Sequence, residues 1–266
     1  MVLTNGLTTT TSFWSHLQPR WERSHRVLSW DLPGHGVSSP ARSEKSALLS
    51  EQPDLLVRLM DAAGMEHAVQ VAWSTGCQVA LEMYRRHPER CTALVLVLGA
   101  AGRVLSTARL PLPGAVIDVL VRRTPPPLFG VLTRALARFA DAPGGQIAPR
   151  AFGLIGKHTT YRDAALITEH LRRIDARTVQ TMIASAQAHS ASDVLPTIAV
   201  PTMIIAGDLD PFAPAATVGV KMHASCRGSE LVRLPDGTHT ALFDHADVIG
   251  SAIDGFLRRR VRMTPG

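Results

Sequence analysis

Ser74 stands in Ala72-Trp73-Ser74-Thr75-Gly76, with a small residue two positions away on either side. His67 to Ala72 before it has strand character. The stretch after it carries Val79, Ala80, Met83 and Tyr84 at the spacing of one helix face. A serine between small residues at a strand-to-helix turn has its hydroxyl held out at the sheet edge, ready to attack a carbonyl. The hydroxyl is a weak nucleophile until a base takes its proton and an acid orients that base. In open parallel sheets chemistry gathers beyond the C-terminal strand ends, so both partners are expected just after later strands. Thr202 to Ala206 is followed by Gly207-Asp208-Leu209-Asp210-Pro211, which offers two carboxylates. Glu230 to Leu234 is followed by Pro235-Asp236-Gly237-Thr238-His239. Nucleophile, acid and base therefore occur in the chain order Ser, Asp, His.

The elements that must position these groups follow a strand–helix rhythm. Met1 to Asn5 reads as a short strand and Arg26 to Trp30 as a second, closed by the turn-rich Asp31 to Gly36. Leu55, Leu56, Leu59, Met60 and Ala63 make one apolar helix face that stops at Gly64. Leu94 to Leu98 is a continuous apolar run, as in a strand covered on both faces. This alternation predicts a mostly parallel sheet with crossover helices on both faces. The rhythm breaks from Arg103 to Val200, where prolines punctuate helix-like stretches such as Leu128 to Ala140 and Ala164 to Ala188. We read 103–200 as an inserted helical cap, with 1–102 and 201–266 as the core. The last helix presents Val248, Ile249, Ala252, Ile253, Phe256 and Leu257 on one face.

Composition narrows the function classes. Hydrophobic residues make up 45% of the 266 and charged residues 19%, which favours a packed core over disorder. Cys77, Cys91 and Cys226 have no CxxC spacing, which fits reduced thiols and a cytoplasmic setting rather than a disulfide framework or zinc site. No signal peptide or membrane-spanning run is read. The net charge of +6 comes from 103–200, with 12 Arg and Lys against 6 Asp and Glu. The arginines there are scattered among apolar residues, so nucleic-acid binding is not expected. No metal cluster or dinucleotide fingerprint occurs, and no cofactor is expected.

Taken together, these motifs resemble the α/β-hydrolase family over nearly the whole chain. Asn5-Gly6 with Trp14 is similar to its His-Gly…Trp oxyanion segment, and Asp31 to Ser38 to its Asp-x-x-Gly-x-Gly-x-Ser turn. Tyr84 to Arg90 resembles its post-elbow stretch, and Gly237-Thr238-His239 its Gly-His turn with one residue inserted. The resemblance implies Ser74 as nucleophile, His239 as base and Asp210, third after Gly207, as the acid in preference to Asp208. It implies an oxyanion hole from the backbone N–H groups of Leu7 and Thr75. Trp73 takes a position where the family often has His, as pocket lining or core packing. His35 and His245 read as structural. Ala72 and Asn5 depart from the family pattern, replacing a Gly and a His.

The family normally has two more strands before the one starting at Met1. Without them Arg26 to Trp30 would be an open sheet edge, which invites a partner or an oligomer. The expected reaction is hydrolysis of an ester, thioester or lactone of a small, largely apolar acyl substrate. Leu105, Leu110, Val116, Ile117, Leu120, Leu128, Phe129 and Leu132 of the cap are expected to roof its pocket. The same triad also serves C–C bond hydrolysis, perhydrolysis of the haloperoxidase type and lyase chemistry. A non-catalytic ligand-binding module on the same fold is the remaining alternative.

Overall fold

In the computed structural model, residues 1–261 are described. Six parallel strands form one sheet in the order β2-β1-β3-β4-β5-β6. They are β1 (Val2–Thr4), β2 (Leu28–Trp30), β3 (Ala68–Trp73), β4 (Cys91–Val97), β5 (Thr202–Gly207) and β6 (Glu230–Leu234). The expected strands are all present, and β2 is one edge of the sheet, as expected where the family's two further strands do not precede β1. Helices α1 (Gln52–Ala62) and α2 (Gly76–Arg86) cross over between the strands, and α7 (Ala246–Arg260) closes the chain.

The sheet is covered on both faces, which explains why its central strands are apolar at nearly every position. On one face Ala72, Leu94, Leu96 and Ile204 pack with Leu56 and Met60 of α1 and Val79 and Met83 of α2. On the other, Val71, Trp73, Val95, Val97 and Ile205 pack with Phe13, Trp14 and Trp21 and with Ile249, Ile253 and Phe256 of α7. Alternate residues of each strand thus feed two separate cores.

Between β4 and β5 the described residues form helices and one isolated antiparallel bridge, Gly102–Ser190. The longer helices are α3 (Gly114–Arg123), α4 (Pro126–Asp141), α5 (Tyr161–Arg173) and α6 (Ala176–Ala188). The single helix expected over Ala164 to Ala188 is two. Asp175 interrupts it because its side chain accepts the Thr178 N–H at 2.8 Å and caps α6.

A second expectation is corrected here. Val116, Leu120, Leu128 and Leu132 are not enclosed between cap and core; they are between 44% and 53% exposed. Helix α4 packs onto α5 and α6 through its small-residue side, which includes Gly130 and Ala137, and this turns the leucine side outward. Leu105, Leu110, Ile117 and Phe129 are half-buried. No helix among the described residues is long and apolar enough to cross a membrane.

The two-core packing makes α7 a structural anchor. Ile253→Ala, at a site with 0% exposure, should lower unfolding free energy by about 2–5 kcal/mol in urea denaturation. Val248→Ala, on the exposed side of the same helix, should change it by less than about 0.5 kcal/mol.

Candidate active site

The turn between β3 and α2 is forced by a close approach. A Cβ placed on Gly76 would sit 2.6 Å from the Thr4 carbonyl oxygen and 2.7 Å from that of Asn5. Only glycine lets the helix start so near the end of β1. Ser74 bridges strand and helix in the left-handed region, at φ 57°, an uncommon conformation for a residue with a side chain. Its N–H donates to the Val97 carbonyl at 3.0 Å. Ala72 lies inside β3, opposite Thr4 and Leu96, where its methyl group is fully buried in the core. The first small position therefore tolerates a side chain, whereas Gly76 does not. Cys77 beneath the turn has its thiol pushed up to about 12 by burial, so it is no rival nucleophile.

Ser74, His239 and Asp210 come together from three strand ends. Ser74 Oγ is 2.9 Å from His239 Nε2. His239 Nδ1 is 3.0 Å from each carboxylate oxygen of Asp210. The Asp210 side chain is fully buried, and its Oδ1 also accepts the N–H groups of Phe212 at 2.8 Å and Ala213 at 3.2 Å. Asp208 is elsewhere: it pairs with Arg233 at 2.8 Å on the surface.

Trp73, considered above as pocket lining, is only 3% exposed. It stacks on Phe13 and lies behind the imidazole, with ring centroids 5.0 Å apart, and its Nε1 donates to the His239 carbonyl at 3.2 Å. Trp73 thus buttresses the histidine from the core side. Phe212 meets the same ring edge-on at 4.8 Å.

The loop after β1 lies against Ser74; a Cβ on Gly6 would be 2.8 Å from Ser74 Cβ. Asn5 pins the start of this loop. Its Oδ1 accepts Trp14 Nε1 at 2.6 Å, and its Nδ2 donates to the Trp30 carbonyl at 3.2 Å. The amide thus preserves a two-sided hydrogen-bonding role at the position where the family pattern has His. The N–H groups of Leu7 and Thr75 have no hydrogen-bond partner among the described residues, so both are free to meet an oxygen beside Ser74.

His35 fixes the far end of the loop. Thr8, left-handed at φ 59°, donates its N–H to His35 Nε2 at 3.0 Å. Nε2 must therefore be unprotonated, and Nδ1 carries the proton to the Pro33 carbonyl at 2.9 Å. Burial pushes the His35 pKa down, in keeping with a neutral ring. His170 of α5 lies 5.2 Å away, its pKa lowered to about 4 by burial and by His35.

Contacts from the helical segment also reach the site, and no local sequence signal marks them. The His239 N–H donates to the Gly153 carbonyl at 3.1 Å, and the Gly156 N–H to Thr240 Oγ1 at 2.9 Å. The Arg109 N–H donates to the Pro211 carbonyl at 2.6 Å, next to Asp210. A cavity of about 540 Å³ opens on that flank, lined by Phe152, Leu209, Asp210, Pro211 and Thr238 among others.

Two outcomes follow from this geometry. His35→Ala leaves the Thr8 N–H without its acceptor, so kcat for a p-nitrophenyl ester should fall by up to about 10²-fold with a smaller change in KM. The His170 pKa is lower folded than unfolded, so its neutral form contributes stability above pH 6.5, and that contribution is lost as pH falls towards 4. The melting temperature should therefore drop between pH 6.5 and 5, less steeply in His170→Gln.

Comparison with known proteins agrees with the architecture. The model of the α/β-hydrolase fold family matches residues 1–246. The chain is 27% identical over 240 residues to a 2-hydroxy-6-oxononadienedioate/2-hydroxy-6-oxononatrienedioate hydrolase of a Pseudomonas species, spanning 90% of this chain and 79% of that protein. It is 24% identical over 248 residues to a pimeloyl-[acyl-carrier protein] methyl ester esterase of Neisseria meningitidis, spanning 92% and 88%. The enol-lactonase of Burkholderia xenovorans superposes with a TM-score of 0.76 at 21% identity, covering 97% of this chain and 90% of that one. The chain belongs to the α/β-hydrolase fold family and is an enzyme of the hydrolase type.

Proposed function

We propose that the protein is a serine hydrolase that cleaves an ester, thioester or lactone of a small, largely apolar substrate through an acyl-enzyme. The observation that carries this reading is the unbroken hydrogen-bonded line from Ser74 Oγ through the His239 imidazole to the buried Asp210 carboxylate. His239 Nε2 takes the Ser74 proton as Oγ attacks the carbonyl carbon. The developing oxyanion meets the free N–H groups of Leu7 and Thr75. His239 passes the proton to the leaving group, and the acyl group stays on Ser74. A water, deprotonated by the same imidazole, then releases the acid and restores the serine. Asp210 holds the ring in the tautomer that leaves Nε2 open. Leu7 and Phe212, half-buried beside the loop and the imidazole, offer apolar surface to the acyl group. The 103–200 segment acts as a cap that braces the histidine turn through Gly153 and Gly156.

A second reading is C–C bond hydrolysis on the same residues. It is favoured by the likeness to the Pseudomonas oxononadienedioate hydrolase over 90% of the chain. Turnover of that dienedioate without turnover of any p-nitrophenyl ester would select it.

A fluorophosphonate probe should label the wild type and leave Ser74→Ala unlabelled. His239→Ala and Asp210→Asn should each lower ester turnover by about 10³–10⁴-fold. Asp208→Asn, which loses only a surface pair, should stay within about threefold of wild type, as surface changes usually do. Absence of labelling in folded wild-type protein, or a greater loss for Asp208→Asn than for Asp210→Asn, would overturn the assignment.

A further inference from the structure

Helix α4 is amphipathic the wrong way round for a helix packed on a body. Leu128, Val131, Leu132, Ala135, Leu136 and Phe139 recur at i, i+3, i+4, i+7, i+8 and i+11, one continuous face. All six are exposed, up to 63% at Phe139. The opposite face, with Gly130 and Ala137, is the buried one. The stripe is about 16 Å long at 1.5 Å per residue. The preceding helix α3, which packs on the same partner α6, exposes Val116, Val119 and Leu120. Apolar surface of this extent is not left to water without a use.

Charge indicates what covers it. Residues 103–140 hold six arginines and a single acid, Asp118. Asp118 is already paired with Arg122 at 2.9 Å. Arg103, Arg109, Arg123, Arg134 and Arg138 are exposed and have no carboxylate partner among the described residues. On α4, Arg134 and Arg138 fall along one border of the leucine stripe, four residues apart. An exposed apolar stripe bordered by unpaired arginines is the pattern of a helix lying in a membrane interface, with side chains among the acyl chains and guanidinium groups at anionic headgroups.

A second copy of the chain fits less well. A two-fold contact through this face would set each copy's unpaired arginines against the other's. An acidic protein would satisfy the charges, but it would need an apolar groove matched to the exposed stripe. A lipid surface accepts that stripe without a matching groove.

We propose that the α3–α4 face is a peripheral docking surface for an anionic lipid bilayer, seating the hydrolase on the membrane without spanning it. This goes beyond the assigned chemistry and does not depend on it, since none of these side chains touches Ser74, Asp210 or His239.

The test is co-sedimentation of the full chain with vesicles. Wild type should pellet with vesicles of phosphatidylcholine containing 30% phosphatidylglycerol and stay in solution with phosphatidylcholine alone. Binding should be lost at 0.5 M salt. Leu132→Ser/Leu136→Ser and, separately, Arg134→Glu/Arg138→Glu should each weaken binding by more than about 10-fold. Both should retain wild-type melting temperature and ester turnover, which separates lost docking from lost folding. Wild type remaining in solution with the anionic vesicles would overturn the proposal. So would a dimer in gel filtration that the leucine substitutions dissociate. Saturable binding to an acidic acyl-carrier protein, with none to vesicles, would overturn it in favour of a protein partner.

Discussion

The end of the sheet that carries Ser74 depends on one steric fact: the backbone of α2 starts within contact of the end of β1. Gly76 makes that approach possible, and Ser74 absorbs its geometry by turning left-handed. Three consequences come from the same turn. The hydroxyl is lifted beyond the sheet edge, the Thr75 N–H is left without a helical acceptor, and the loop carrying Leu7 is brought against the serine. A strained residue is thus held by the parallel pairing of β1, β3 and β4, whose packed cores lie on either side of it. The strain is local, and the structure that maintains it is the whole sheet.

Around that turn, two layers of support differ in kind. Asp210 and His239 sit in turns that directly follow β5 and β6, so sheet register brings both turns to the end of the sheet where Ser74 lies. The loop carrying Leu7 is held by side chains instead: Asn5 through Trp14 and the Trp30 carbonyl, and His35 through the Thr8 N–H. Register is rigid and cooperative. A neutral buried histidine is conditional on protonation, so the loop is the more responsive half of the site.

How much of this could be read from the chain follows from where each signal is stored. The central strands were legible because burial on both faces makes them apolar at nearly every position. Ser74, Asp210 and His239 were legible because each occupies turn chemistry just after a strand. Periodicity was less decisive beyond β4. It marks Leu128, Leu132 and Leu136 as one face, but it does not say whether that face is buried, and here the small-residue side was buried instead. The break at Asp175 was written as a helix cap between two helical patterns that otherwise run together. The Gly153 and Gly156 contacts had no local signature, since backbone atoms make them and only tertiary placement brings those atoms to the histidine turn.

Those backbone contacts have a mechanical consequence. The segment between β4 and β5 is tied to the core beside His239 through Gly153 and Gly156, and beside Asp210 through the Arg109 N–H. It is tied on its other flank too, where the Ala41 N–H donates to Thr178 Oγ1 at 3.2 Å, the Leu49 N–H to Ser185 Oγ at 2.8 Å and Gln78 Nε2 to the Ala186 carbonyl at 3.0 Å. A plate clamped along two sides resists both lifting and swinging, so the imidazole keeps its seat against the segment that covers it.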